Sequence, residues 1–176
     1  MTRYSKRMVI IHWLTLALLI TAWFLGNSLA DATDENKATL AGYIVHASVG
    51  GVILLLALSQ LYFRRKDGTP SKLVDTPIVQ VVAKAVHYTL YATVILLPVS
   101  GVVTIITSKA GKALLYGDAN LLPKKGGYEH VFAHDVHELL ATVLIVLAVV
   151  HILGAIKHQF IMKDGLMERM MLRRKG

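Results

Sequence analysis

The chain contains no cysteine and, among its 176 residues, only 11 acidic ones. Without thiols it can form no disulfide, and it cannot bind an iron–sulfur cluster through cysteine thiolates. A structural zinc site is also disfavoured, because such a site needs a closed tetrahedral ligand set that usually includes cysteine. Any metal centre must therefore be built from other side chains, and histidine, present eight times, is the first candidate.

The charge of the chain is positive, since 19 lysines and arginines give a formal net charge of +8. These basic residues gather at the ends of apolar segments, and no stretch alternates basic with aromatic side chains. Positive charge at such positions orients membrane proteins in the bilayer. The sequence therefore predicts contact with membrane lipid and no nucleic-acid partner.

Long apolar segments dominate the sequence, which is 55% hydrophobic. Four segments, at approximately 8–27, 41–63, 83–106 and 134–158, are each long enough to cross the hydrocarbon layer, which takes about 20 helical residues. No ten-residue alternating pattern indicates the strands of a membrane barrel. We therefore predict a single all-α domain over residues 1–176, folded as a four-helix transmembrane bundle.

The first apolar segment has some features of a signal peptide, with Ser28-Leu29-Ala30 as a small-residue cleavage site. However, it is longer than the usual apolar core of about 7–15 residues. It also contains His12, Trp13 and Trp23, which are unusual in a discarded segment. We expect it to be retained as the first membrane helix.

Lysine and arginine are distributed unevenly between the two sides of the predicted bundle. The N-terminus, the loop at 64–84 and the C-terminal tail together hold fourteen, whereas the two other loops hold five, namely Lys37, Lys109, Lys112, Lys124 and Lys125. Because basic loops stay in the cytoplasm, we expect both termini there and, in a bacterium, the other loops in the periplasm. The longer of those loops, residues 107–133, is rich in glycine and is predicted to form mostly turns.

Five of the histidines within the apolar segments form two layers. His12, His87 and His151 lie towards the cytoplasmic side, and His46 and His137 towards the periplasmic side. His137 and His151 share one helix, about 40° apart around its axis and roughly 21 Å apart along it. Imidazole ligates haem iron, so the layers predict two bis-histidine centres. One would pair His46 with His137, and the other would pair His151 with either His12 or His87.

Histidines within apolar segments can also have roles that involve no metal. A lone histidine near a helix end is usually an interfacial or hydrogen-bonded core residue. A proton relay through membrane histidines would be expected to include a buried acid. Here Asp135 and Glu138 flank His137 at the membrane surface, and no acid lies at the centre of a predicted helix. Two layered pairs in one chain therefore favour metal ligation.

Several short motifs, in their order and spacing, resemble the bacterial cytochrome b561 family over essentially the whole chain. They are Arg3-Tyr4-Ser5 with Ile11-His12-Trp13-Leu14, Val45-His46, His137-Glu138 with Ala141, His151, and the tail His158, Lys163-Asp164 and Met170-Met171. The resemblance implies a b-type cytochrome of the bacterial inner membrane with two haem b groups. Covalent attachment of c-type haem is excluded, because no Cys-x-x-Cys-His sequence is present.

The resemblance also implies roles for individual residues. The axial pairs would be His12 with His151 for the inner haem, and His46 with His137 for the outer haem. His87 and His158 would lie near a quinone or a haem propionate. Further basic residues on the cytoplasmic side would meet propionates or phospholipid, namely Arg3, Arg7 and Lys163, whereas Lys157 and Arg169 would anchor the tail.

The family is similar to superoxide oxidases, which oxidise periplasmic superoxide and reduce ubiquinone. One feature of this sequence agrees with that expectation: Lys109, Lys112, Lys124 and Lys125 lie in the predicted periplasmic loop. The positive-inside rule gives no reason for them, and a cationic surface would steer a small anion to the outer haem. The alternative is that these lysines are solvated or extend towards anionic lipid.

Two other functions are compatible with the sequence. The chain could be an electron-transfer subunit that links a partner dehydrogenase to the quinone pool, although no long soluble arm marks a docking site for that partner. It could instead be a haem-free transporter or structural protein, which would leave the two histidine layers unexplained. Stable copurification with a larger redox subunit would favour the first of these.

Overall fold

The computed structural model describes residues 3–31, 39–71, 76–122 and 131–172. These residues are helical throughout and include no strand, which confirms the predicted all-α fold for the described part of the chain. The helices, in chain order, are α1 (Lys6–Ala30), α2 (Leu40–Asp67), α3 (Pro77–Thr107), α4 (Lys109–Tyr116) and α5 (Phe132–Ile156). A 3₁₀ turn, Ala119–Leu121, follows α4. A π-helical turn, Lys157–Met162, and a second 3₁₀ turn, Met167–Met170, follow α5.

Four helices are long and apolar enough to cross a membrane, as predicted. They are α1, α2, α3 and α5 with its π-helical extension to Met162, and the mean hydropathy of their most apolar windows lies between 2.0 and 2.8. All four extend beyond the predicted segments. Helix α3 begins at Pro77, where proline suits the first helical turn, and α2 continues through its basic residues to Asp67.

The helices are not packed evenly around the bundle. Helix α1 packs against α2, α2 against α3, and α3 extensively against α5, whereas α5 makes at most marginal contact with α1 or α2. Leu144 is the one described residue of α5 that is buried. Helix α5 is therefore held by α3 and faces α1 and α2 across an open space.

The two described ends of the chain meet at one end of the bundle, which we call the terminal end. The backbone N–H of Tyr4 donates to the carbonyl of Arg169 at 3.2 Å, and Trp13 Nε1 donates to the carbonyl of Met170 at 2.9 Å. The Arg169 side chain reaches the Ser71 carbonyl, after α2, at 2.6 Å. These contacts hold residues 157–172, here called the tail, against the terminal end of the bundle.

A polar contact between α1 and α2 closes the same end. The Asp67 carboxylate accepts hydrogen bonds from Ser5 Oγ at 2.6 Å and from Arg7 Nε at 2.8 Å. The Arg7 guanidinium also lies over the Phe63 ring, 4.2 Å from its centroid. Arg7 is therefore engaged with α2.

The opposite end of the bundle, here called the far end, carries a helix where we predicted turns. Helix α4 buries Ala110 and Ala113 completely and leaves Lys109 and Lys112 exposed. A Cβ atom on Gly111 would lie 2.5 Å from the carbonyl oxygen of Ile105. Glycine is therefore needed here because it lets α4 fold back against the end of α3, and not because it forms a turn.

Candidate functional site

The far-end histidines face each other across the open space between helices. The ring centroids of His46, on α2, and His137, on α5, are 6.2 Å apart. Each ring packs against a glycine of another helix, His46 against α1 and His137 against α3. A Cβ atom on Gly26 of α1 would lie 3.3 Å from His46 Cε1, and one on Gly101 of α3 would lie 3.1 Å from His137 Cε1. These glycines let the neighbouring backbones approach the two imidazoles and fix their positions.

Hydrogen bonds set which nitrogen of His137 carries its proton. Its Nδ1 lies 3.0 Å from the Leu97 carbonyl and 3.1 Å from Ser100 Oγ. Because a carbonyl can only accept, the hydrogen bond to Leu97 requires the proton to be on Nδ1. Nε2 then keeps its lone pair, as a metal-ligating histidine requires. His46 Nδ1 is buried without a hydrogen-bond partner in the described structure, and the carbonyl of Ala22 lies beside it.

The terminal-end layer contains three histidines, as the sequence predicts. The ring centroid of His151 is 6.3 Å from that of His12 and 5.1 Å from that of His87. His87 Nδ1 lies 2.6 Å from the carbonyl of Ala83 in its own helix. The His87 side chain is exposed, whereas His12 and His151 are half-buried.

These distances separate pairs that could bind one metal ion from opposite sides from a pair that could not. With metal–nitrogen bonds of about 2.0 Å and ring centroids about 1.1 Å behind the nitrogens, two axial imidazoles have centroids about 6.2 Å apart. The His46–His137 distance of 6.2 Å and the His12–His151 distance of 6.3 Å fit this geometry. The His87–His151 distance of 5.1 Å is too short.

A cavity of about 2520 Å³ connects the two layers and is lined by all five of these histidines and by His158. Ordinary small-molecule pockets measure about 300–1,000 Å³, so this space can accept more than one large group. Gly50, Gly51 and Gly154 line it, and a Cβ atom on any of them would meet nothing within 4 Å. The donor set, the glycines and the space together fit flat macrocycles held between paired imidazoles.

The two predicted anion-steering lysines that lie in the described part of the chain do not line this cavity. Lys109 and Lys112 are exposed on α4 and do not line the cavity, and Lys124 and Lys125 lie outside the described residues. The far-end mouth is lined instead by Asn120, His134, Asp135 and Glu138, with His134 Nε2 3.3 Å from a Glu138 carboxylate oxygen. The described rim therefore carries carboxylates.

Of the three basic residues predicted to meet propionates or phospholipid, two have carboxylate partners within the protein at the terminal end. Arg3 pairs with Glu168 at 3.2 Å, Arg7 is bound to Asp67, and Lys163 is exposed and does not line the cavity. Lys157 and Arg169, predicted only to anchor the tail, both line the cavity.

His158 has a carboxylate partner that the sequence did not reveal. Its Nδ1 lies 2.6 Å from Asp164 Oδ2. Burial acts to raise the pKa of Asp164, but the hydrogen bonds from His158 and from the Leu166 N–H outweigh it and lower the pKa. Asp164 is therefore an anion at neutral pH. The available sequence signal was only a histidine and an aspartate six positions apart.

Residues 3–172 match the model of the family described as prokaryotic cytochrome b561. The chain belongs to this family. It is 28% identical to cytochrome b561 homolog 1 of Escherichia coli strain K12, over 99% of this chain and 100% of that protein. It is 27% identical to cytochrome b562 of Cereibacter sphaeroides, over 96% of this chain and 94% of that protein. It is 26% identical to a probable superoxide oxidase, CybB, of Yersinia pestis, over 99% and 98%.

Membership of the cytochrome b561 family, together with the four membrane-spanning helices, establishes the general role of the chain. It is a multi-pass protein of the bacterial inner membrane that binds b-type haem and transfers electrons. Its partners include lipid and redox partners such as quinone. These points confirm the predicted family, the predicted localisation and the b-type cofactor.

The variant Gly101→Ala tests whether Gly101 positions the His137 ring. The added Cβ atom would lie 3.1 Å from the ring, which must then move by a few tenths of an ångström. We expect a changed EPR spectrum of the bound haem and a lower haem content after purification. Val103→Ala, at an exposed position outside the cavity on the same helix, is the control. Identical spectra for all three proteins would show that Gly101 does not position His137.

Proposed function

We propose that this cytochrome b561 holds two haem b groups, one ligated by His12 and His151 and the other by His46 and His137. The observation that carries this proposal is the spacing of the two pairs, 6.3 Å and 6.2 Å between ring centroids. The distance of 5.1 Å from His151 to His87 supports His12 as the inner ligand. His87 is then a neighbour of the inner site and not an axial ligand.

When bound, the haems supply reversible one-electron redox chemistry. The chain's own residues provide position and surroundings. His137 is oriented by the Leu97 carbonyl, and Gly26 and Gly101 hold the two far-end rings between α1 and α3. Apolar walls around the cavity keep water from the two sites. His137 and His151 are fourteen positions apart, which separates the sites by about 21 Å along α5.

For the reaction, we propose oxidation of superoxide at the far end and reduction of ubiquinone within the membrane. Two superoxide ions each lose one electron and become dioxygen, and one quinone gains two electrons and two protons and becomes quinol. A relative of similar length is named as a probable superoxide oxidase, and the exposed Lys109 and Lys112 on α4 provide positive charge at the far end. The lysine distribution supports a periplasmic far end and cytoplasmic termini.

His137→Ala tests the two-site arrangement. Because the two pairs share no ligand, we expect the haem content to fall by about half while the spectrum of the other site remains. The haem content per purified chain and the reduced-minus-oxidised spectrum provide the measurement. His87→Ala is the matched control, with both haems expected to remain. Loss of a haem from His87→Ala, or none from His137→Ala, would contradict the assigned pairs.

The double variant Lys109→Gln and Lys112→Gln tests superoxide steering. We expect the rate of superoxide oxidation at low salt to fall several-fold, up to about tenfold, and to depend less on salt, since steering by charge is screened by ions. A quadruple variant that also carries Lys124→Gln and Lys125→Gln should show a larger effect.

The control for this experiment is the double variant Lys66→Gln and Lys84→Gln, which removes the same charge from the terminal half of the bundle. Its superoxide rate and salt dependence should match those of the unmodified protein. Equal rates for all of these proteins would remove the steering role of the lysines. Absence of superoxide oxidation by the unmodified protein, together with copurification of a dehydrogenase, would favour an electron-transfer subunit.

A further inference from the structure

The pair of His158 and Asp164 connects the terminal end of the cavity with the tail. His158 lines the cavity, and its side chain is 13% exposed. Its Nδ1 is 2.6 Å from Asp164 Oδ2. Asp164 does not line the cavity, and its side chain is 20% exposed. The histidine thus faces inwards, and the carboxylate lies behind it with partial access to water.

The local backbone is arranged to bring these two side chains together. The π-helical turn Lys157–Met162 widens the end of α5. Lys163 follows with φ 51° and Gly165 with φ 73°, both in the left-handed region that reverses the chain. The reversal returns Asp164 to His158, and the backbone N–H of Leu166 donates to Asp164 Oδ1 at 3.1 Å. A lysine in a left-handed conformation is uncommon, and here it lies directly before the carboxylate.

Besides His87, whose Nδ1 lies 2.6 Å from the carbonyl of Ala83 in its own helix and not from a carboxylate, the other polar side chains at this end are of types that do not readily exchange protons at neutral pH. Those that line the cavity include Tyr4, Arg64, Lys157 and Arg169, and no carboxylate among the described residues lines this end. Tyrosine, lysine and arginine have ordinary pKa values of about 10 or more, whereas histidine ordinarily titrates near 6.5. Histidine can therefore release a proton and regain it at neutral pH.

We propose that His158 is the proton donor for quinone reduction at the terminal end of the cavity, and that Asp164 is its positioning residue. This proposal rests on the proposed reduction of ubiquinone. In each transfer the Nε2–H bond of the His158 imidazolium breaks and an O–H bond forms on the reduced quinone. A proton from water then restores the imidazolium, which the Asp164 carboxylate stabilises. Two such transfers match the two electrons that two superoxide ions supply.

The arrangement agrees with general acid catalysis, in which a histidine is oriented by a carboxylate on its second nitrogen. Asp164 accepts from Nδ1, so Nε2 is the nitrogen that can face the cavity. A membrane-embedded quinone needs such a donor, because the apolar walls exclude bulk water from its carbonyl oxygens. In this site His158, which exchanges protons with water, would pass them to a quinone that lies in an apolar space.

The test compares an acceptor that needs protons with one that does not. Purified haem-loaded protein is reduced with dithionite, the excess is removed, and reoxidation is followed with a short-chain ubiquinone or with ferricyanide, which takes an electron alone. For His158→Gln and Asp164→Asn we expect reoxidation by quinone to slow about tenfold or more and to show a larger solvent deuterium effect. Reoxidation by ferricyanide and the haem spectrum should stay unchanged.

Two matched variants complete the test. Glu168→Gln removes another tail carboxylate, which is exposed, pairs with Arg3 and does not line the cavity, so it should leave both reoxidation rates unchanged. Asp164→Glu keeps the charge and should restore part of the quinone rate. The proposal is overturned if Asp164→Asn and His158→Gln behave like Glu168→Gln, or if they slow both acceptors equally, as a general loss of structure would.

The unmodified protein separates this proposal from the proposed function. If quinone reoxidises the reduced unmodified protein, and reoxidises the Asp164 and His158 variants equally fast, only the assignment of His158 as proton donor is wrong. If the unmodified protein reoxidises with ferricyanide and not with quinone, the proposed reduction of ubiquinone is wrong, and the role of His158 is wrong with it.

Discussion

The separation of α5 from α1 and α2 is the constraint on which the rest of the structure depends. Helix α3 holds α5 along its length, so a wide space remains where helices of a closed bundle would touch. Protein interiors are normally packed about as tightly as organic crystals. A stable space of this size therefore requires contents, and the histidines that face it in two layers have the chemistry to bind a metal-bearing group. Family membership identifies this group as b-type haem.

The same separation explains the use of small residues. Gly26 and Gly101 bring two helices against the far-end imidazoles, while Gly50, Gly51 and Gly154 leave the cavity walls free of side chains. In a membrane, glycine usually serves direct helix–helix contact. Here Gly50, Gly51 and Gly154 instead shape the space between helices. The tail then closes the terminal end, where its carbonyls accept hydrogen bonds from the backbone N–H of Tyr4 and from the Trp13 side chain.

The sequence was sufficient for the four membrane-spanning helices and for which histidines lie in the same layer, because hydropathy and helical rise depend only on position along the chain. It could not choose between His12 and His87, which lie at similar depth and differ in their lateral distance from His151. Helix α4 was missed because its glycine suggested a turn, whereas the close approach of Ile105 explains that glycine. The contact of Asp164 with His158 depends on a left-handed lysine that no sequence pattern indicates.

Haem quantitation shows whether the two histidine pairs hold two haems. The unmodified protein is purified after expression with ample haem supply, and haem is measured against chain concentration together with a dithionite-reduced minus oxidised spectrum. We expect two low-spin b-type haems per chain. One haem per chain, or none, would contradict it.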